Sequence, residues 1–364
     1  MERPLSNRVP PHNHGIDIVR IVAMCMVVAM HMLMHNIDAI RFSCSPGARV
    51  AIRLIYVETF ICVNLFILTT GWLYAGRMPK LSRIIELGLT VLFFDIGTRL
   101  VVCPALGRSF SWSRLPSEHW FVNVYLALIL LVPFLNGGLA ELNRKLGFRL
   151  VFRLVLLVSL FFGIVPILGV DMGRSLGWFV CLYLTGAQLR LSRDSIEFPS
   201  RRVLFFLASG LPIFVVFLAR IAMNFADMPL YGIVEQFQSP VLYLSSVAFF
   251  LALSTANIPQ QPLLIRFAAS ASFSVYLVHT ASAIRPLFAS FSKWLVEWFS
   301  SFGAGYAVIP AVLCGVLAVY AIGMIADAFR LVVFRFLRIG PRCETIGKWI
   351  LASVFRRQPS CAIV

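Results

Sequence analysis

The sequence predicts an all-α polytopic membrane protein with about ten transmembrane helices and with both termini in the cytoplasm. Three observations predict this class: the overall composition, a succession of long apolar segments, and the distribution of lysine and arginine between them. Of the 364 residues, 59% are hydrophobic and only 13% are charged, and the mean hydropathy is +0.86. Soluble proteins have about 45–50% apolar and about 25% charged residues. The composition therefore excludes an ordinary soluble domain, a disordered chain and a nucleic-acid-binding protein.

Ten apolar segments approach the length of about 20 residues that a membrane-spanning helix needs. They are Ile16–His35, Ile52–Ala75, Ile84–Val102, His119–Leu139, Leu150–Val170, Leu176–Leu189, Val203–Met223, Pro240–Ala256, Pro262–Phe288 and Phe302–Phe334. The sixth is short for a full crossing, and the last is long enough to bend or to end as an amphipathic helix. We divide the chain into a cytoplasmic N-terminal segment (1–15), a transmembrane domain (16–334) and a basic cytoplasmic tail (335–364).

The basic residues set the predicted orientation. The chain has 32 Lys and Arg against 16 Asp and Glu, a net charge of +16. With the N-terminus in the cytoplasm, 21 basic residues fall on the cytoplasmic side and 10 at or near the outer side, while Arg20 lies within the first segment. Cytoplasmic loops carry the excess of Lys and Arg in membrane proteins. The excess of positive charge therefore mainly sets the orientation of the chain in the membrane, and attraction to anionic lipid is a second effect. We expect no nucleic-acid partner.

Polar residues within the first segment form a stripe along one face of the predicted helix. Arg20 and His31 are eleven residues apart, about 20° past three full turns, so both lie on one face about 16 Å apart along the axis. Asp17 and His35 share that face. Charged groups inside a bilayer are costly unless they face a cavity or a partner, which points to function. The structural alternative is an Asp17–Arg20 ion pair with two hydrogen-bonded histidines.

The chemistry of this stripe favours an anionic cytoplasmic substrate whose reactive end reaches into the membrane. Histidine is a natural general base near neutral pH, and an arginine near the cytoplasmic end can clamp a phosphate. Other intramembrane polar residues are consistent with a lined cavity: Glu58, Asn64, His119, Asn123, Tyr125, Ser272, Ser274, Tyr276 and His279.

Several other features of the sequence are explained by structural roles or exclude a function. Asp95 with Arg99 is an i,i+4 pair, and a salt bridge to Arg330 suffices to explain Asp327. Cys44 and Cys103 are the only cysteines in predicted external loops, and whether they pair stays open. The sequence has no Walker A loop, no His-Glu-x-x-His and no Cys-x-x-Cys, so we expect no ATPase and no metal site.

Five motifs follow one another over nearly the whole chain. They are Arg20 with His31, Val63–Gly71, His119–Tyr125 with Leu131–Asn136, Leu182–Arg190, and Ser272–His279. In this order they resemble the signature segments of integral-membrane acyltransferase family 3, which O-acylates bacterial surface polysaccharides and related glycans. Two departures stand out: Thr70 replaces the usual Ser before Gly71, and Lys80 replaces the first Arg of an Arg-x-x-Arg motif that ends here at Arg83. The lysine keeps the charge but loses a bidentate phosphate contact.

The resemblance implies a multi-pass enzyme of the bacterial plasma membrane that takes an acyl group, most often acetyl, from cytoplasmic acyl-CoA. The acceptor is a hydroxyl of a polysaccharide or lipid-linked sugar. We expect a stand-alone member, without the fused extracellular hydrolase-like domain that some members carry. The acceptor glycan, the choice between acetyl, succinyl and other acyl groups, and the oligomeric state stay open.

The resemblance also suggests roles for individual residues. Arg20, Lys80 and Arg83, with Thr70, would bind the acetyl-CoA donor. His31 would deprotonate the acceptor hydroxyl or accept the acyl group itself, with Arg20 as the second catalytic residue. The expected acceptor or cavity residues are His35, Glu58, His119, Trp120, Asn123, Tyr125, Tyr276 and His279.

Two other function classes use similar residues. A proton-coupled transporter also places His, Arg and Asp within the membrane, but transporters usually show internal repeats, and none is found here. A membrane subunit of a polysaccharide-export complex with a dead site is disfavoured by the intact Arg20 and His31.

Overall fold

The computed structural model describes residues 12–105, 107, 119–164, 173–223, 236–303 and 306–355. Every regular element within these residues is a helix, which confirms the predicted all-α class. The helices are α1 (His14–His35), α2 (Ile37–Ser43), α3 (Pro46–Thr59), α4 (Ile61–Tyr74), α5 (Leu81–Ala105), α6 (Trp120–Leu146), α7 (Phe148–Ile164), α8 (Leu176–Leu191), α9 (Arg201–Met223), α10 (Pro240–Ser254), α11 (Leu263–Thr280), α12 (Arg285–Ser300), α13 (Val308–Phe336) and α14 (Ile339–Phe355). The predicted boundaries that fall in 1–11, 165–170 and 356–364 lie outside the described residues.

Six segments of the described chain are long and apolar enough to cross a membrane, so the chain is a multi-pass membrane protein. They are His14–His35, Pro46–Tyr74, Trp120–Leu146, Arg201–Leu218, Leu263–Thr280 and Val308–Phe336. The other four predicted spans, which are not among these six, form α5, with 25 residues, and three short helices: α7, α8 and α10, with 17, 16 and 15 residues. At about 1.5 Å per residue the three short helices are shorter than the hydrocarbon core of about 30 Å.

Two predicted segments are broken where the sequence suggested continuous helices. In the second, α3 ends at Thr59 and α4 begins at Ile61, with Phe60 between them. The ninth divides because α11 ends at Thr280 and α12 begins at Arg285, followed by a proline that favours a helix start. Both breaks place side chains, Phe60 and Arg285, on the wall of the central cavity.

The last predicted span and the tail also differ from expectation. Helix α13 runs without interruption through 29 residues, and the chain then turns at Arg338, whose φ is 51°. The predicted tail continues as α14, which packs against α5 and α13. Its apolar residues are interleaved with charged ones, and the segment is not one of the ten predicted spans. Cys44 and Cys103 are both free thiols, so no disulfide joins them.

Helix α1 lies at the centre of the helix bundle. Asn13 caps its N-terminus, accepting hydrogen bonds from the amides of Gly15 and Ile16 at 2.9 and 3.3 Å. The Asn13 amide also donates to the Ser254 carbonyl at 2.8 Å, which ties α1 to α10. Further along, α1 packs against α3, α4, α10, α11, α12 and α13. A polar stripe on this helix is therefore enclosed by other helices rather than exposed to lipid.

Helices α4 and α8 approach closely through two glycines. A Cβ atom on Gly71 would strike the carbonyl oxygen of Tyr183, and one on Gly186 would strike the carbonyl oxygen of Leu68. Small residues allow membrane helices to pack backbone to backbone in this way. The glycines of two separate motifs, Val63–Gly71 and Leu182–Arg190, are thus explained by one helix interface.

Asn64 on α4 and Arg190 on α8 use their side chains in structural hydrogen bonds. The buried Asn64 donates to the Phe237 carbonyl at 2.8 Å and to Ser246 Oγ at 3.1 Å, and its oxygen accepts from Trp178 Nε1 at 3.1 Å. Near the other end of α4, Arg190 donates to the Trp72 carbonyl at 2.8 Å. These bonds fix α4, which forms one side of the cavity.

Candidate active site

A cavity of about 790 Å³ lies beside α1. Its wall is built from α1, α3, α4, α5, α6, α11 and α12, together with two residues that precede helices, Arg174 and Phe237. Most of the wall is apolar or aromatic. The polar and charged side chains on it are Arg20, His31, His35, Thr69, Thr70, Arg174, Ser272, His279, Thr280 and Arg285, with the tyrosines Tyr56, Tyr74, Tyr125 and Tyr276. An apolar pocket with a few convergent polar groups is the usual form of a ligand site.

Arg20 occupies one end of the cavity without a carboxylate partner among the described residues. The Asp17–Arg20 ion pair that the sequence allowed is not formed, because Asp17 Oδ2 instead accepts a hydrogen bond from His12 Nε2 at 2.6 Å. The half-buried Arg20 lies close enough to Tyr125 and Tyr320 to interact with both electrostatically. Its guanidinium is therefore available to an anionic ligand, which can accept its N–H donors in a planar fork.

His31 lies further along α1, and its hydrogen bonds define its tautomer. His279 Nδ1 lies 2.6 Å from the Val275 carbonyl, which can only accept, so the His279 proton is on Nδ1. His279 Nε2 then carries a lone pair and accepts from His31 Nδ1 at 3.1 Å. With its proton on Nδ1, His31 keeps a lone pair on Nε2, which has no hydrogen-bond partner among the described residues. A neutral imidazole with a free nitrogen in a cavity is suited to act as a base.

The other end of the cavity carries two further arginines. Arg174 stacks over Trp120, with its guanidinium carbon 5.3 Å from the ring centroid, and Trp120 in turn stacks on Phe237 at 6.1 Å. Arg285 donates from Nη2 to the Thr280 carbonyl at 3.5 Å. Both arginines lie close enough to His31 to interact with it electrostatically. The cavity therefore has cationic groups at both ends and a histidine pair between them.

His119 is buried behind the cavity wall, and its hydrogen bonds join helices to one another. His119 Nε2 donates to Asp95 Oδ1 at 2.8 Å, and His119 Nδ1 lies 3.0 Å from Thr280 Oγ1. The Thr280 hydroxyl also lies 2.7 Å from the Tyr276 carbonyl, one turn earlier on α11. Both His119 nitrogens are thus occupied, and the residue ties the start of α6 to α5 and α11.

The structure brings most, but not all, of the predicted site residues to the cavity wall. Those on the wall are Arg20, His31, His35, Thr70, Trp120, Tyr125, Tyr276 and His279. Those off the wall are Glu58, Lys80, Arg83, His119 and Asn123. Lys80, Arg83 and Asn123 are exposed, and Arg83 pairs with Glu86 at 3.1 Å. Arg83 nevertheless interacts electrostatically with Tyr74, which lines the cavity.

Sequence reasoning missed Arg174 and Arg285 as site residues, since it counted them only as basic residues near the outer side. A signal was present for Arg285, which follows the His279 motif by six residues and adjoins a proline. For Arg174 no local motif distinguishes it from other loop arginines. Asp327, by contrast, has the structural role expected, because its Oδ1 accepts from Arg330 at 2.8 Å. Ser274 was expected to line the cavity but is off the wall, and it donates to Asp327 Oδ1 at 2.6 Å.

Three groups that could ligate a metal meet at the start of α1. They are His12, His14 and Asp17, whose ligand atoms lie within 4.8 Å of one another. His12 is exposed, and its 2.6 Å hydrogen bond to Asp17 accounts for the closest pair without an ion. His14 Nδ1 lies further away, at 3.9 Å from Asp17 Oδ2.

The fold and cavity define a multi-pass membrane protein with a buried site of histidines and arginines. Comparison with known proteins identifies the family: the acyltransferase family 3 model, described as an acyltransferase domain, matches residues 13–327. The chain belongs to this family and is a membrane acyltransferase, a transferase. No curated protein and no solved structure matches the chain.

Proposed function

We propose that the protein transfers an acetyl group from cytoplasmic acetyl-CoA to a hydroxyl of a cell-surface or lipid-linked glycan at the cell membrane. The observation that carries the proposal is the hydrogen-bonded chain from the Val275 carbonyl through His279 to His31. It leaves His31 Nε2 as an unpaired base on the wall of a cavity that also holds Arg20.

The proposed topology has ten crossings, with both termini in the cytoplasm. Counting α3 with α4 as one crossing, the others are α1, α5, α6, α7, α8, α9, α10, α11 and α13. Helices α12 and α14 would then lie at opposite membrane surfaces. The positive-inside bias supports this orientation. Arg20 would be at the cytoplasmic end of the cavity, and Arg174 and Arg285 at the outer end.

The donor would enter at the end that holds Arg20. A guanidinium without a carboxylate partner among the described residues suits a phosphate, which accepts bidentate hydrogen bonds. Thr70 lies on the wall with Arg20. Lys80 and Arg83 would contact the parts of the donor that stay outside the cavity, since both side chains are exposed. The distance of about 16 Å along α1 from Arg20 to His31 matches a donor whose phosphates and thioester are joined by a long, narrow arm.

The reaction follows from the lone pair on His31 Nε2. The acceptor oxygen forms a bond to the thioester carbonyl carbon while Nε2 takes the hydroxyl proton, and the carbon–sulfur bond breaks. The proton then passes to the departing thiolate, giving an O-acetyl ester and free CoA. His279 is a positioning residue, because it fixes the tautomer of His31. Transfer through an acyl group carried on His31 itself is the second route.

The acceptor would bind in the part of the cavity beyond His31. Trp120 and Tyr276 line it, and aromatic faces stack on sugar rings, whereas Tyr125 lies on the wall close to Arg20. His35 is on the same wall and could relay a proton. Glu58, His119 and Asn123 lie off the wall, so the proposed acceptor site does not include them. Membership of an acyltransferase family disfavours the transporter and export-subunit alternatives, neither of which requires a base aimed at a bound thioester.

Acetyl-CoA binding to the protein in lipid nanodiscs tests the donor assignment. We expect saturable binding by calorimetry that Arg20→Gln weakens by about tenfold or more, because a charge-assisted hydrogen bond contributes about 1.5–3 kcal/mol. Arg266→Gln is the matched control, since Arg266 is exposed at the start of α11 and off the wall. Absence of binding to both acetyl-CoA and succinyl-CoA by folded protein would contradict the proposal and restore the transporter alternative.

A further inference from the structure

We infer that the acceptor is an anionic glycan, and that Arg174 and Arg285 form the site that binds its acidic group. The inference rests on the proposed function, because it assumes that the donor occupies the end of the cavity with Arg20. We call Arg174 and Arg285 the arginine pair.

The two members of the arginine pair come from separate parts of the chain and line the same cavity. Arg174 precedes α8 and Arg285 begins α12, and both line the cavity. Both interact electrostatically with His31 and with Tyr276, and Arg285 also with His35. Arg20 instead interacts with Tyr125 and Tyr320. The arginine pair and Arg20 thus serve different parts of the cavity, with His31 between them.

Within the described residues, the donors of the arginine pair are left largely unused. The Arg174 guanidinium lies over the Trp120 ring, and it has no hydrogen bond to another described residue. Arg285 uses one nitrogen on the Thr280 carbonyl at 3.5 Å. Within the described part of the chain, neither guanidinium has a carboxylate within ion-pair distance. Two oriented cations with spare donors favour a carboxylate or a phosphate over a neutral hydroxyl.

The surroundings of the pair fit a sugar rather than a simple ion. Trp120 and Phe237 form a stacked aromatic surface beside Arg174, and Tyr276 lies on the same wall. An acidic group held at the arginine pair would keep the rest of a sugar ring near these faces and within reach of His31. The negative charge can come from a uronate carboxylate on the glycan or from the pyrophosphate of a lipid-linked sugar.

Binding of three probes to the full-length protein in phosphatidylcholine nanodiscs tests the inference. The probes are tetragalacturonate, the neutral maltotetraose, and glucose linked by pyrophosphate to a prenyl chain. We expect at least one anionic probe to bind about tenfold or more tightly than maltotetraose, with a preference that falls as salt is raised. The anionic probe that shows the preference identifies the source of the charge.

Variants test which residues cause the preference for an anionic probe over maltotetraose. Arg174→Gln and Arg285→Gln should each remove most of this preference. Their acetyl-CoA affinity should stay within about twofold of wild type, which shows that the site is folded. Lys293→Gln is the matched control: Lys293 is an exposed cation on the same helix as Arg285 but off the cavity wall, so the preference should remain. Arg174→Lys should restore only part of it, because lysine keeps the charge without the planar fork.

Three results would overturn the inference. The first is equal affinity for all three probes, and the second is a loss of the anionic preference in Lys293→Gln as large as that in the arginine-pair variants. The third is that the arginine-pair variants lose acetyl-CoA binding in place of glycan binding. The last would assign the pair to the donor. Failure of the proposed function is distinguishable, because then acetyl-CoA would not bind at all while an anionic probe would still depend on Arg174 and Arg285.

Discussion

The α4–α8 interface and the cavity wall share helix α4 but use polar side chains in opposite ways. At the interface, Asn64 donates two hydrogen bonds and accepts a third. On the wall, and within the described part of the chain, one nitrogen of His31 has no hydrogen-bond partner and Arg20 has no carboxylate partner. Buried polar groups are normally satisfied, so an unsatisfied one marks a place where another molecule is expected. The comparison separates residues that hold the protein together from those available for chemistry.

The largest effect should come from removing the base on the wall. His31→Ala should lower acetyl transfer by about 100- to 10,000-fold, the usual contribution of a general base, with the melting temperature little changed. Acetyl transfer is measured as the incorporation of radiolabelled acetyl groups from acetyl-CoA into membranes that contain the protein. The melting temperature is measured by thermal unfolding in detergent. His12→Ala, off the wall, is the histidine control, and near-normal transfer by His31→Ala would exclude the catalytic role.

The interface should show the reverse pattern. Gly186→Ala places a Cβ against the Leu68 carbonyl, and overpacking of this kind costs about 1–3 kcal/mol of stability. The melting temperature should fall while transfer per folded molecule stays close to normal. Gly138→Ala on α6 is the control, because no neighbouring atom lies within 4 Å of its added Cβ. Unchanged stability in Gly186→Ala would mean that the two helices can move apart at little cost.

The smallest effect should come from the exposed basic residues near the cavity end. Lys80→Gln and Arg83→Gln should weaken acetyl-CoA binding by only about two- to fivefold, since solvent-exposed charges contribute about 0–1 kcal/mol. Calorimetry at low and high salt measures this, and the difference from wild type should shrink at high salt. A loss as large as that of Arg20→Gln would show that these residues contact the donor inside a closed site.

The sequence predicted the all-α class and the stripe on α1 because both depend on local periodicity. Arg20, His31 and His35 do share one face, since helix geometry alone determines this. The pairing of His31 with His279 could not be predicted, because it joins positions 248 residues apart. The sequence supplied both residues as candidates but gave no means of orienting one imidazole against the other.

Other predictions failed where tertiary packing decides the outcome. His119 was predicted for the acceptor region from its motif, yet the structure gives both its nitrogens to Asp95 and Thr280. The break at Phe60 leaves little trace in the sequence, because no glycine or proline marks it.

Because Arg20 and His31 lie on one helix that other helices surround, their relative phase is set by the number of residues between them. Inserting a single residue in this stretch would turn one side chain by about 100° relative to the other and lengthen their separation by about 1.5 Å. Substitutions along α1 would alter the cavity gradually, whereas a one-residue insertion or deletion would carry either Arg20 or His31 out of the cavity. In natural variation of this protein, the ten-residue interval should therefore keep its length even where its composition drifts.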